Sequence, residues 1–123
     1  MFLYITYKIY KNMITIREIK SLEDLKSFYA ESANSLHIVK MGAQWCYPCV
    51  SLSNVLRNLD QDKIGNTLIA EVNVDDESNK EILIEYNVKS IPLTLYVKNG
   101  TVIDKFLGST SENELYNRIE EYK

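Results

Sequence analysis

"LHIVKMGAQWCYPCVSLSNVL", residues 36–56, reads as strand, turn and helix. The run LHIVKMG (36–42) is short and rich in β-formers. From Pro48 onward, Val50, Leu52, Val55, Leu56 and Leu59 suggest a helix, and Pro48 is tolerable only in its first turn. Between the two elements lie both cysteines of the chain, Cys46 and Cys49, with Tyr47 and Pro48 between them. A pair of thiols at a strand-to-helix junction sets the expectations for the rest of the sequence.

Outward from this stretch the same alternation continues. MITIREI (13–19) alternates enough for a short strand, and SLEDLKSFYAES (21–32) carries a capping pattern in Ser21 and Asp24. Leu22, Leu25, Phe28 and Tyr29 then form one helical apolar stripe. After a break at Gly65-Asn66, TLIAEVNV (67–74) reads as a strand and ESNKEILIEYNV (77–88) as a helix. PLTLYVK and TVIDKFL flank Asn99-Gly100, a strong hairpin signal. TSENELYNRIEEY (110–122) has Ser111 and Glu114 at capping positions and Leu115, Ile119 and Tyr122 on one face. The order β-α-β-α-β-α-β-β-α requires parallel crossovers and ends in an antiparallel pair. The fold class is α/β, with a mixed sheet and helices on both faces.

At 123 residues the chain suits one domain. Apolar residues make up 46% and charged residues 25%, a globular profile. A formal net charge of −3, without a basic run, argues against nucleic acid and anionic membranes. No apolar stretch approaches the roughly 20 residues of a membrane-spanning helix. The opening MFLYITYKIYKN is apolar and aromatic but interrupted by lysine and threonine, and it lacks a small-residue cleavage site. It reads as an edge strand or a tail, or as a targeting segment for an organelle. Two cysteines are too few for the disulfide framework of a small secreted domain, so a reducing compartment is the default.

At the start of a helix, Cys46 would face unpaired N–H groups and the positive end of the dipole, both favouring an anion. A thiol of pKa about 8.5 is only about 3% ionised at pH 7, and one near 7 is about half ionised. That is a roughly fifteen-fold gain in the attacking species. Cys49, three residues on, shares the helical face and can displace a mixed disulfide. Three other readings compete. A structural zinc site wants four ligands, and the chain offers two cysteines and one histidine, His37, in mid-strand. A purely structural disulfide closing so short a loop would contribute only about 2 kcal/mol. An inert pair of buried thiols stays open, though the strand-turn-helix context weighs against it.

The stretches AQWCYPC, EVNVDD, YNVKSIPLTLYVKNG and FLGSTSENEL, in this order and spacing, resemble the thioredoxin family over roughly residues 13–122. The resemblance implies a thioredoxin fold with a mixed four- to five-stranded central sheet, in a domain of residues 13–123 after an extension of residues 1–12. It implies that Cys46 is the exposed nucleophile and Cys49 the buried resolving thiol, with Trp45 packed beside them. Ile91-Pro92 would be the family's cis-proline loop, facing the cysteines and pairing with substrate backbone. Gly108 would let a substrate chain come close. A plain strand-initiating proline is the other reading of Pro92.

Three features depart from the family pattern. Tyr47 stands where glycine is usual, and the residues between the cysteines influence redox poise. Lys40 occupies the place of the family's buried aspartate, and Glu71 that of its neighbouring lysine. The two charges are exchanged, which suggests that the side chains meet; a charged Lys40 near Cys49 would favour its thiolate, and Glu71 or a neutral Lys40 could carry its proton. The third departure is the extension itself. The expected activity is protein-disulfide reduction by a cytoplasmic monomer, without metal or organic cofactor, acting on disulfide-containing proteins and recycled by a reductase or a small dithiol. Trp45, Tyr47, Pro48, Ile91, Pro92 and Gly108 would hold the substrate strand. An oxidase or isomerase, or a binding subunit with sensor thiols, is the alternative.

Overall fold

The computed structural model describes residues 14–123 together with Leu3. Apart from Leu3, the expectations for residues 1–12 lie outside the described residues. The chain runs β1 (Ile16–Ile19), α1 (Leu22–Ala30), β2 (Leu36–Gly42), α2 (Tyr47–Arg57), α3 (Gln61–Ile64), β3 (Leu68–Asn73), α4 (Lys80–Glu85), β4 (Leu93–Lys98), β5 (Thr101–Leu107) and α5 (Glu112–Tyr122). The five strands lie in the order β1-β3-β2-β4-β5. β3 pairs in parallel with both β1 and β2, whereas β4 is antiparallel to β2 and to β5.

β2 is the central strand and is buried along its whole length. Its side chains alternate between the two faces of the sheet. Leu36 and Ile38 join Ile69 and Tyr96 under Leu52 and Leu56 of α2 and Leu115 and Ile119 of α5. Val39 and Met41 join Ala70, Val72, Leu95 and Val97 under Leu25 and Phe28 of α1 and Ile82 of α4. Alternation therefore assigns Lys40, between Val39 and Met41, to the face that α2 covers. That parity decides what lies beneath the cysteines.

Local signals set the boundaries. Ser21 Oγ accepts the Asp24 N–H at 3.0 Å, and Ser111 Oγ accepts the Glu114 N–H at 3.2 Å. Asn99 (φ 53°) and Gly100 (φ 76°) both take the left-handed conformation that a two-residue hairpin turn of the primed type needs. One expectation needs correction, and one element is not among those expected. Residues 77–88 do not form one helix: a single 3₁₀ turn over Glu77–Asn79 precedes α4, and the chain leaves α4 through Asn87 at φ 51°. The reason is Asn79, whose buried amide donates to the Asn73 carbonyl at 3.1 Å instead of facing solvent along a regular helix. The short helix α3, capped by the Asp60 carboxylate, follows α2 where the sequence pattern gives no helix.

Candidate active site

α2 begins at the two cysteines. Cys46 is the N-cap, in extended conformation, and Pro48 lies in the first turn, where its missing N–H costs no hydrogen bond. Cys46 Sγ accepts the Cys49 N–H at 3.3 Å, and the two residues are joined by a disulfide, with Cα atoms 5.2 Å apart. The family resemblance implies an exposed Cys46; the residue is only 7% exposed, and Cys49 is fully covered. Cys46 turns its sulfur back onto the helix end, and the pair packs with Ala43 against Val74 and Ile91. Of the two residues, the one with any exposed surface is Cys46.

Around this pair lies an open rim. Trp45 is 72% exposed and Tyr47 82%, so neither covers the disulfide as a core residue would. Trp45 is held by its indole N–H, which donates to Asp75 Oδ2 at 2.7 Å. The Ile91-Pro92 peptide is cis, and Ile91 packs on the cysteine cluster while Pro92 is buried. Gly108 donates its N–H to the Pro92 carbonyl at 2.8 Å. Its φ of 103° is a conformation that side chains rarely adopt, and the space where a Cβ would stand is open. Among the described residues, the Ile91 N–H and carbonyl have no hydrogen-bond partner, so a backbone edge is free beside the disulfide.

Below the cysteines lies a charged floor. Lys40 and Glu71 are register partners on β2 and β3, and Lys40 Nζ lies 2.9 Å from Glu71 Oε2. Ser53, one turn beyond Cys49 on α2, closes a triangle: its Oγ accepts from Lys40 Nζ at 2.6 Å and donates to Glu71 Oε2 at 2.7 Å. Arg57, a further turn on, reaches Glu71 Oε1 at 3.3 Å. Burial alone would push the Glu71 carboxyl up. The hydrogen bonds from Ser53 and Lys40, with the charges of Lys40 and Arg57, outweigh burial and hold it below the ordinary carboxylate range. The Lys40 side chain is only 5% exposed, so these partners replace the hydrogen bonds that water would give its ammonium. A cleft of about 320 Å³, lined by Glu18, Gln44 and Val50 as well as by the floor, opens beside it.

The structure thus brings Lys40 and Glu71 together, sets Trp45, Tyr47, Pro48 and Ile91 beside the disulfide, and ties Gly108 to Pro92, the residue after Ile91. Sequence reasoning missed Ser53, Arg57 and Asp75. Ser53 carried a signal, being a polar residue one turn from Cys49 on the apolar face of an amphipathic helix. His37 is buried; its Nε2–H donates to the Glu31 carbonyl at 2.9 Å, and its ring packs edge-on to Phe28. Among the described residues no three of His, Cys, Asp and Glu gather into a group that could hold a metal.

Comparison with known proteins agrees with this geometry. The thioredoxin family model matches residues 18–121. A thioredoxin of Chlorobaculum thiosulfatiphilum is 35% identical over 99 residues, covering 79% of this chain and 90% of its own. A mitochondrial thioredoxin of Mus musculus is 38% identical over 78 residues, covering 63% of this chain and 46% of its own. The X-ray structure of Fasciola hepatica thioredoxin superposes with a TM-score of 0.78 at 30% identity, covering 88% of this chain and all of that one. A cysteine pair capping the helix after the central strand is what such a match would require, and the chain belongs to the thioredoxin family as a thiol-disulfide oxidoreductase that reduces protein disulfides.

Proposed function

We propose that Cys46 is the attacking thiol and Cys49 the resolving one. The observation that carries the assignment is the Cys49 N–H aimed at Cys46 Sγ on the N-cap, a donor placed to stabilise a thiolate there. In the reduced protein the Cys46 thiolate attacks one sulfur of a substrate disulfide, forming a mixed disulfide and releasing a substrate thiolate. Cys49, as thiolate, then attacks Cys46 Sγ, closing the Cys46–Cys49 disulfide and releasing the second substrate thiolate. Two electrons pass from the dithiol to the substrate, and the released thiolates take up two protons. A disulfide reductase or a small dithiol restores the pair.

An extended substrate segment pairs with the free backbone edge at Ile91, over Pro92 and Gly108, while Trp45, Tyr47 and Pro48 contribute exposed surface beside Cys46. Lys40, held by Ser53 and Glu71, favours the thiolate of Cys49 when resolution requires it. The rear cleft gives Glu71 access to solvent, so its carboxylate is the group to relay the Cys49 proton outward. Residues 1–12 are an extension to the domain; the family match begins at residue 18 and β1 at Ile16. The protein works as a monomer in the reducing cytoplasm, with no part for nucleic acid or membrane; among the described residues no helix is long and apolar enough to cross a bilayer.

Turnover of an insulin-type disulfide by dithiothreitol and this protein tests the assignment. Cys46→Ser should reduce turnover to background, and Cys49→Ser should accumulate mixed disulfides with substrates. Wild-type turnover that survives Cys46→Ser would overturn it. A strongly oxidising potential against glutathione would move the protein to oxidase work.

A further inference from the structure

We propose that Gly42 is a positioning residue of the dithiol: its missing side chain holds open the space through which the Lys40 ammonium reaches Cys49. This role depends on the action of Lys40 proposed above and adds the residue that permits it.

Three of the four glycines, Gly65, Gly100 and Gly108, have positive φ and a backbone reason to be glycine. Gly42 has none. It closes β2 in regular strand register opposite Asn73, and its carbonyl accepts the Val74 N–H at 2.9 Å. What it provides is room. A Cβ built there would lie 2.9 Å from Lys40 Cε, 3.0 Å from Lys40 Nζ and 3.1 Å from Cys49 Cβ, and these are the three atoms nearest to it. The ammonium and the cysteine thus flank one methyl-sized volume, which no atom of residue 42 fills. Any side chain would have to displace the flexible lysine head, because Cys49 is fixed at the start of α2.

The displacement has an electrostatic consequence. The charged groups on this side of Cys49 are Lys40 from β2, Glu71 from β3, Arg57 farther along α2 and, at the edge of the cleft, the exposed Glu18 from β1, with Ser53 linking the first two. Against the other side of the pair pack Ala43, Val74 and Ile91, all apolar. Pushing Lys40 away therefore leaves Cys49 with a less positive neighbourhood, and the thiolate becomes harder to form.

The test uses Cys46→Ser as background, in which Cys49 is the one remaining thiol. Thiolate absorbance is titrated for that protein and with Lys40→Met, Gly42→Ala or both added. Each single change should move the Cys49 titration upward by about one pH unit, and the double change should move it no further than Lys40→Met alone. A Gly42→Ala curve superimposed on its parent, while Lys40→Met shifts, overturns the role of Gly42. A Lys40→Met curve that does not move removes the underlying action of Lys40, and the role of Gly42 with it. A merely structural glycine would lower stability equally in both backgrounds and add its shift to that of Lys40→Met. Should Gly42→Ala fold poorly, the comparison of Lys40→Met with the double variant still tests the role, since the long cation is gone from both. A further shift there overturns the role, because it would reach Cys49 without the Lys40 ammonium.

Discussion

Cys46 and Cys49 are separated by two residues but answer to different surroundings. Cys46 borders an open rim of Trp45, Tyr47 and the Ile91 backbone edge, where the helix end is the local source of positive potential. Cys49 is fully covered and stands over a floor of Lys40, Ser53 and Glu71 whose hydrogen bonds form a closed triangle. One turn of helix thus presents two thiols to two fields. An attacking thiol is best served by partly exposed backbone dipoles, which need no counter-charge and leave space for a substrate. A resolving thiol must react after the substrate has covered the front, and a charge that acts from behind suits that order.

The sharpest way to break the contrast is to break the floor. Glu71→Gln leaves Lys40 buried without its carboxylate and should destabilise the oxidised protein by about 3 kcal/mol in denaturant unfolding. Lys40→Met should cost far less, about 1 kcal/mol, because Glu71 keeps Ser53 and Arg57. Equal losses would mean that the lysine does not depend on this carboxylate. The same comparison has a pH signature. The Glu71 carboxyl lies below its ordinary value of 4.5 in the folded state, so its contribution is complete above about pH 4.5 and is lost as pH falls through the lowered value. The stability gap between wild type and Glu71→Gln should therefore be widest at neutral pH and close on acidification.

A region remote from both surroundings supplies a reference. Gly100→Ala forces a side chain into φ 76° at the hairpin turn and should cost about 1 kcal/mol, with turnover unchanged. A loss of turnover there would mean that global stability, rather than either local field, governs the chemistry. The smallest effect belongs to the rim. Asp75→Asn weakens the hold on the Trp45 indole and should change turnover by no more than about threefold. It should also alter the emission of Trp45, the single tryptophan of the chain. A larger kinetic effect would show that the indole must be fixed for substrate to bind.

Much of this is legible in the sequence. The order of strands and helices follows from periodicity, and the Asn99-Gly100 turn from residue types that tolerate positive φ. The exchanged charges at Lys40 and Glu71 can be noticed because the resemblance to the thioredoxin family assigns the opposite charge to each of the two positions. What escapes depends on contacts across the sheet or on very short range. α3 is four residues long, too short for a helical period to register. The interruption at Asn79 depends in part on the Ile19 carbonyl, 60 residues away at the end of β1, which no local window contains. Ser53 and Arg57 belong to the floor only because α2 crosses β2 and β3 at that point, and Gly42 reads as an ordinary strand end until the Lys40 head is seen beside it.

The arrangement of the sheet has one more consequence, for synthesis. The central strand β2 finds its antiparallel partner only when Leu36 meets Lys98 and Ile38 meets Tyr96. A nascent chain can build α1, β2 and α2 early, but one side of β2 stays unpaired until Lys98 has left the ribosomal tunnel. Until then the reactive cysteines are mounted on an unfinished scaffold, so oxidation on the ribosome would occur before the floor and the rim are both in place.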